Sequence, residues 1–317
     1  MSLAFVFPGQ GSQAVGMGQA LAAAFPVARH TFEEVDDALG QGLSKLMAQG
    51  PDDDLRLTEN AQPALMAVSL AVIRVLESEG NLTLADKAAF VAGHSLGEYS
   101  ALAAAGSLEL ADAARLLRRR GQAMQQAVPV GEGAMAALLG LDLEAAQEVA
   151  AEAVAQGEGS EVCAAANDNA PGQVVLSGHT AAVERACEIA KSKGAKRAVM
   201  LPVSAPFHCP LMAPAADVMA EALAGVQVKM PAVPLVANVT ASHLSDPEEI
   251  RRKLVEQVTG MVRWRESVAY MAGQSVEKIV ELGAGKVLSG LTRRIDRSLT
   301  GLSVETPEEV EAALAQI

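Results

Sequence analysis

Short apolar runs closed by glycine or proline alternate along this chain with longer segments whose apolar residues recur every three or four positions. That alternation restricts the fold more than any other feature, because strands separated by helices build βα units on a mainly parallel sheet. Leu3–Phe7 is the first apolar run and, ended by Pro8-Gly9, reads as a buried strand. Helical spacing follows through about 17–48 and more strongly through 61–79. A second run, Ala88–Ala92, is closed by Gly93 and leads into helical patterns at about 96–105 and 109–126.

The rhythm changes in the middle. Gly133–Leu139 reads as a strand, 142–156 as a helix, Val162–Ala166 and Val174–Leu176 as strands, 180–193 as a helix and 196–201 as a strand. This β-α-β-β-α-β order is the ferredoxin-like signature. Pro129 and Gly131 bound it on one side, Pro202 and Pro206 on the other. Residues 129–202 are therefore expected to form a small domain inserted into a larger α/β domain made of 1–128 and 203–317. Beyond 210, Pro234–Ala237 and Lys278–Glu281 are strand candidates, and no internal repeat is present.

Composition removes several function classes. Half of the 317 residues are apolar, too many for a disordered chain. Only 3% are aromatic and the net charge is −13, so neither base stacking nor phosphate neutralisation is expected, and no nucleic-acid partner. The longest apolar stretch, Ala64 to Ile73, stops at Arg74, too short to span a bilayer, so no membrane association is expected. The opening MSLAFVFPGQ lacks the basic lead of a secretory signal. Three cysteines, Cys163, Cys187 and Cys209, cannot all pair and show no C-x-x-C spacing, which fits a reduced, cytoplasmic setting. No H-x-x-H, H-E-x-x-H or Cys/His cluster implies a metal. The glycine-rich stretches at Gly9 and Gly283 miss the dinucleotide and P-loop spacings.

Gly93-His94-Ser95-Leu96-Gly97 matches G-x-S-x-G between an expected strand and an expected helix, the setting a nucleophile elbow requires. The alternative is an ordinary glycine-rich βα turn with a capping serine. A serine needs a base to become a useful nucleophile. Of the five histidines, His94 is adjacent to Ser95 and points away from the direction Ser95 faces. His30 lies on a polar helix, and His179 is at a helix start. His243 sits in the turn cluster Thr240-Ala241-Ser242-His243. His208 stands in a loop stiffened by Pro206 and Pro210, and rigid loops over a sheet are where catalytic side chains concentrate. His208 is favoured over His243, which stays open. In the 109–126 helix the apolar stripe runs Leu110, Ala113, Leu117, Arg120, Met124, so Arg120 falls on the buried face while Arg118 and Arg119 do not. Spacing alone leaves Arg120 as either a structural ion pair or a binding cation.

Taken with Phe7-Pro8-Gly9-Gln10-Gly11-Ser12-Gln13, Arg120-Gly121, Asn167 through Val175, Pro206-Phe207-His208-Cys209 and Glu281 through Leu288, the chain resembles the malonyl-CoA:acyl carrier protein transacylases over nearly its whole length. The resemblance implies an α/β-hydrolase-like large domain with a parallel sheet and an inserted ferredoxin-like small domain. It also implies transfer of a malonyl group from coenzyme A to the phosphopantetheine thiol of acyl carrier protein, through a malonyl-serine intermediate, for fatty-acid synthesis. Ser95 would be the nucleophile and His208 its base, oriented by main-chain carbonyl near Gln257 rather than by an acid. The backbone N–H groups of Gln10 and Leu96 would form the oxyanion hole, and Arg120 would hold the malonyl carboxylate. Phe207, Gln257 and Asn169 would complete the substrate site, Phe207 crowding a 2-methyl branch. No cofactor is implied, since the thioester is the substrate, and a monomer is expected. An acidic carrier protein docking on an acidic chain needs a local basic patch: Lys191, Lys193, Lys196 and Arg197, or Arg293, Arg294 and Arg297. The rival readings are a serine hydrolase or thioesterase, a free-standing polyketide acyltransferase and a non-catalytic docking subunit.

Overall fold

In the computed structural model, which describes residues 2–317, the first apolar run is a fully buried strand, β1 (Leu3–Phe7), near the centre of a six-stranded sheet. Its neighbours are β2 (Ala88–Gly93) on one side and β9 (Lys278–Leu282) on the other, both parallel to it. The full order is β10-β9-β1-β2-β7-β8, with β7 (Leu235–Val236), β8 (His243–Leu244) and β10 (Thr300–Val304) completing it. Only the β7–β8 pair is antiparallel, so the mainly parallel sheet expected from the alternation is observed. Phe7 pairs with Gly93, so β1 and β2 end side by side and release their following loops over the same edge.

The second sheet has four strands, all antiparallel, in the order β4-β5-β3-β6: β3 (Gly133–Leu139), β4 (Cys163–Ala170), β5 (Gln173–His179) and β6 (Arg197–Met200). Helices Leu143–Ala155 and Thr180–Ser192 pack on it around their own apolar cluster, which includes Leu138, Val149, Leu176 and Ile189. β4 also reaches back to the large sheet's surroundings: Asn167 bridges to Val262, and Asp168 pairs with Arg265 at 2.8 Å.

Several expectations need correction. The helical spacing over 17–48 conceals three helices, Gln19–Ala24, Pro26–Leu39 and Leu43–Gln49. Pro26 starts the second, and Gly40, at φ 59°, ends it. Arg74 does not end the apolar stretch either. Helix Thr58–Gly80 runs through it and is, by length and composition, apolar enough to cross a membrane, yet 83% of its apolar window is buried inside the protein. Arg74 leaves that core by reaching Glu34 at 2.7 Å. β8 and β10 were not expected.

Candidate active site

The turn after β2 is shaped by close approach. A Cβ on Gly93 would lie 1.9 Å from the Gly97 carbonyl carbon, and one on Gly97 would lie 2.3 Å from the Phe7 carbonyl oxygen, so only glycine fits at either position. Helix Gly97–Ala104 begins at once, and Ser95 between the glycines takes φ 53°. A side chain in this left-handed region costs roughly 1–2 kcal/mol, which the surrounding contacts must offset. Asn238, just past β7, supplies two of them: its Oδ1 accepts from the Ser95 N–H at 2.8 Å, and its Nδ2 donates to the Gly93 carbonyl at 2.6 Å.

His208 arrives from the proline-bracketed loop, also left-handed at φ 58°. Its Nε2 is 2.7 Å from Ser95 Oγ. Its Nδ1 lies 2.9 Å from the Gln257 carbonyl and 3.2 Å from that of Gly260. Carbonyls only accept, so Nδ1 carries the proton and the Nε2 lone pair faces the serine hydroxyl. Burial, with the Arg120 charge second, pushes the His208 pKa down to about 3, so the imidazole is neutral and able to take a proton near neutrality. Of the other histidines, His94 also lines the cavity that Ser95 and His208 share, against the expectation that it faces away from Ser95, and the remaining three lie elsewhere. His94 is half-buried, its Nε2 2.8 Å from Asn169 Oδ1; His30 is exposed; and His179 stands at the start of helix Thr180–Ser192, where its Nδ1 accepts from the Val162 N–H. His243 sits on the outermost strand, hydrogen-bonded to Tyr270. Geometry thus separates His208 from His243, which spacing could not.

Arg120 is 1% exposed. Its Nη1 donates to Gln62 Oε1 at 2.8 Å; its Nη2 donates to Gln257 Oε1 at 2.8 Å and to Ser95 Oγ at 3.1 Å. The guanidinium stands 5.8 Å from the centre of the Tyr99 ring, while its Nε has no partner. Among the described residues no carboxylate comes within ion-pair distance of it. A buried cation held only by neutral groups is costly by itself and suits an anion that arrives from outside. Glu98, behind the elbow, is equally buried, and desolvation pushes its pKa up to about 8 against donors from Gln257 and Asn238 and the Arg120 charge.

Ser95, His208 and Arg120 line one cavity of about 350 Å³, together with Gln10, Leu96 and Phe207. Met124, Met135 and Asn167 also line it, and Arg56 lies at its wall. The backbone N–H groups of Gln10 and Leu96 have no hydrogen-bond partner among the described residues. Gln257 holds Arg120 and His208, and Asn169 is engaged with His94. Of the basic candidates, Lys191 pairs with Glu188 at 2.7 Å and Lys193 with Glu152 at 2.9 Å. Arg294 binds Gln173. Lys196, Arg197, Arg293 and Arg297 form no ion pair among the described residues. Sequence reasoning missed Gln62, Glu98, Asn167 and Asn238. Glu98 left one signal, as the lone charged residue of an otherwise apolar helical segment, and Asn167 opened one of the stretches that carry the resemblance without being given a role; Gln62 and Asn238 are distant in sequence and left none.

An alcohol activated by a neutral imidazole, two free N–H groups and a cation in one cavity can carry out acyl transfer on a substrate with an anionic acyl group. Residues 4–304 match the family model described as acyl transferase domain. The chain is 49% identical over 311 residues to the malonyl CoA-acyl carrier protein transacylase of Escherichia coli strain K12, covering 98% of each chain. It is 57% identical to the acyl-carrier-protein-S-malonyltransferase of Bartonella henselae, with a TM-score of 0.96 and 99% of each chain covered. It is 45% identical, with a TM-score of 0.95 and full coverage of both chains, to a malonyl-transacylase solved in complex with its type II PKS acyl-carrier protein.

Proposed function

The chain belongs to the acyl transferase family of malonyl-CoA:acyl carrier protein transacylases, and on that premise we propose that it moves a malonyl group from coenzyme A to the phosphopantetheine thiol of an acyl carrier protein for fatty-acid synthesis. One observation carries the reading: a serine–histidine pair 2.7 Å apart opens on the same cavity as a buried arginine lacking a carboxylate partner.

His208 Nε2 takes the proton as Ser95 Oγ attacks the thioester carbonyl. The oxyanion forms against the Gln10 and Leu96 N–H groups, with the adjacent helix start adding a favourable dipole. The thioester C–S bond breaks, His208 returns the proton to the departing coenzyme A sulfur, and a malonyl-serine ester remains. The carrier thiol then loses its proton to His208 as its sulfur attacks that ester; the ester C–O bond breaks, and His208 hands the proton to the departing Ser95 Oγ, 2.7 Å away, restoring the hydroxyl. Each donor of such a hole is worth about 3–4 kcal/mol in comparable sites. Arg120 grips the malonyl carboxylate through its fork, fixing the acyl group. Phe207, 8% exposed on the cavity wall, leaves little room for a 2-methyl branch. Asn169 is assigned an indirect part, steadying His94 beside the elbow.

The large domain, 1–128 with 203–317, is read as α/β-hydrolase-like and 129–202 as ferredoxin-like, which the order β4-β5-β3-β6 supports. We place the enzyme in the cytoplasm as a monomer needing no cofactor or metal, without membrane or nucleic-acid partners. Lys196, Arg197, Arg293, Arg294 and Arg297, whose charges pair with no carboxylate of the described residues, are the candidate cations left for an acidic carrier. A hydrolase is disfavoured because His208 leans on carbonyls rather than an aspartate and a cation occupies the acyl end. Service to a polyketide carrier is the second reading, motivated by the likeness to the carrier-bound malonyl-transacylase. Incubating the protein with malonyl-CoA and holo-carrier, followed by intact mass, tests the proposal: malonyl-carrier is expected, whereas free malonate alone makes it a hydrolase.

A further inference from the structure

The reaction just described makes no use of Glu98, yet its carboxylate is buried directly behind the elbow, in the first turn of helix Gly97–Ala104. Two donors converge on it: the Asn238 N–H on Oε1 at 3.3 Å, and Gln257 Nε2 on Oε2. Both donors belong to residues that hold the cavity. Asn238 Oδ1 accepts from the Ser95 N–H. Gln257 accepts from Arg120 Nη2 on its Oε1 at 2.8 Å, and its main-chain carbonyl accepts from His208.

The Gln257 amide could in principle sit either way round, since its two ends are nearly the same shape. Here its NH2 end meets Glu98 and the Ser95 carbonyl, the latter at 2.9 Å, and both of these accept. Only the oxygen is left for Arg120, which can only donate. Reversing the amide would set donor against donor at Arg120 and acceptor against acceptor at Glu98. Glu98 thereby stands one amide away from Arg120.

We propose that Glu98 is a positioning residue for the acyl carboxylate: by fixing the Gln257 amide in one orientation, it holds Arg120 in the pose that receives the malonyl group. This rests on the malonyl reading given above. A purely structural role, bracing the elbow through Asn238, would slow every acyl group alike; the role proposed here acts on the charged one.

Glu98→Gln keeps the shape but sets an NH2 group against one of the two donors. The ratio of kcat/KM for malonyl-CoA over acetyl-CoA is expected to fall on the order of tenfold, with KM for malonyl-CoA carrying more of the loss than kcat. Gln257→Met removes the linking amide and should lower the ratio likewise, and the double variant should fall no further than the lower single. If Glu98→Gln does not fold, Glu98→Ala is read through the same ratio in its place, with Gln257→Met as the reference for complete loss of the link to Arg120. A wild-type ratio in a folded variant, or equal slowing of both acyl groups, overturns the proposal. A wild-type protein with no malonyl preference overturns the malonyl reading and this inference with it; preference retained in the wild type and unchanged in the variants overturns only the role of Glu98.

Discussion

Arg120→Gln removes one charge from the cavity while leaving a polar side chain of moderate length. The magnitude follows from the surroundings of the group it replaces. Arg120 is 1% exposed and faces no carboxylate of the protein, so a malonyl carboxylate would meet a fully desolvated cation. Truncating one member of a buried, hydrogen-bonded charge pair costs about 2–5 kcal/mol. The variant also strips a donor from Gln62 and from Gln257, but that loss is the same whichever acyl group is bound. The malonyl-to-acetyl ratio therefore isolates the carboxylate contribution. At about 3 kcal/mol that ratio of kcat/KM falls on the order of a hundredfold. Steady-state transfer to the carrier, measured with each acyl-CoA, gives the ratio, and circular dichroism confirms that the variant is folded. A folded variant that still prefers malonyl to the wild-type degree would refute the assignment of Arg120 as the carboxylate clamp.

Gly97→Ala would drive a Cβ to 2.3 Å from the Phe7 carbonyl oxygen, so a lower urea midpoint equivalent to roughly 1–3 kcal/mol is expected, together with lost acylation; an unchanged midpoint would contradict the elbow geometry. For His208 the folded pKa of about 3 lies below the ordinary 6.5, so the unfolded chain binds the extra proton between those values. Its stabilising contribution is then complete above pH 6.5 and is lost as pH falls toward 3. The wild type should lose stability faster than His208→Gln over pH 6.5 to 4, by up to about 1.4 kcal/mol per unit. Parallel slopes in urea denaturation would contradict the buried neutral imidazole. Phe207→Ala should raise use of a 2-methyl-branched malonyl thioester relative to malonyl in competition assays, and no change would remove Phe207 from the specificity wall.

How much of this was legible in the sequence depends on how local each cause is. The elbow was readable because strand, turn and helix follow within about ten residues and the glycines betray the close approach. Arg120 was placed on a buried face by helical periodicity, and the structure finds it there. What periodicity could not supply was its lack of a counter-ion, since Gln62 and Gln257 come from other helices. His208 and His243 were separable only by tertiary contact, 113 positions from Ser95 in the case of His208. Asn238 was invisible for the same reason. β8 has two residues and β10 is a partly exposed edge strand, so neither carries an apolar run. The breaks within 17–48 escaped because helical spacing continues in phase across short loops.

The central claim is that Ser95 bears the acyl group in transit. Incubation with malonyl-CoA in the absence of carrier, followed by intact mass and peptide mapping, tests it most directly. The wild type should gain a single malonyl group on the peptide containing Ser95, and Ser95→Ala should gain none. A malonylated Ser95→Ala protein, or a wild-type label on another residue, would contradict the account.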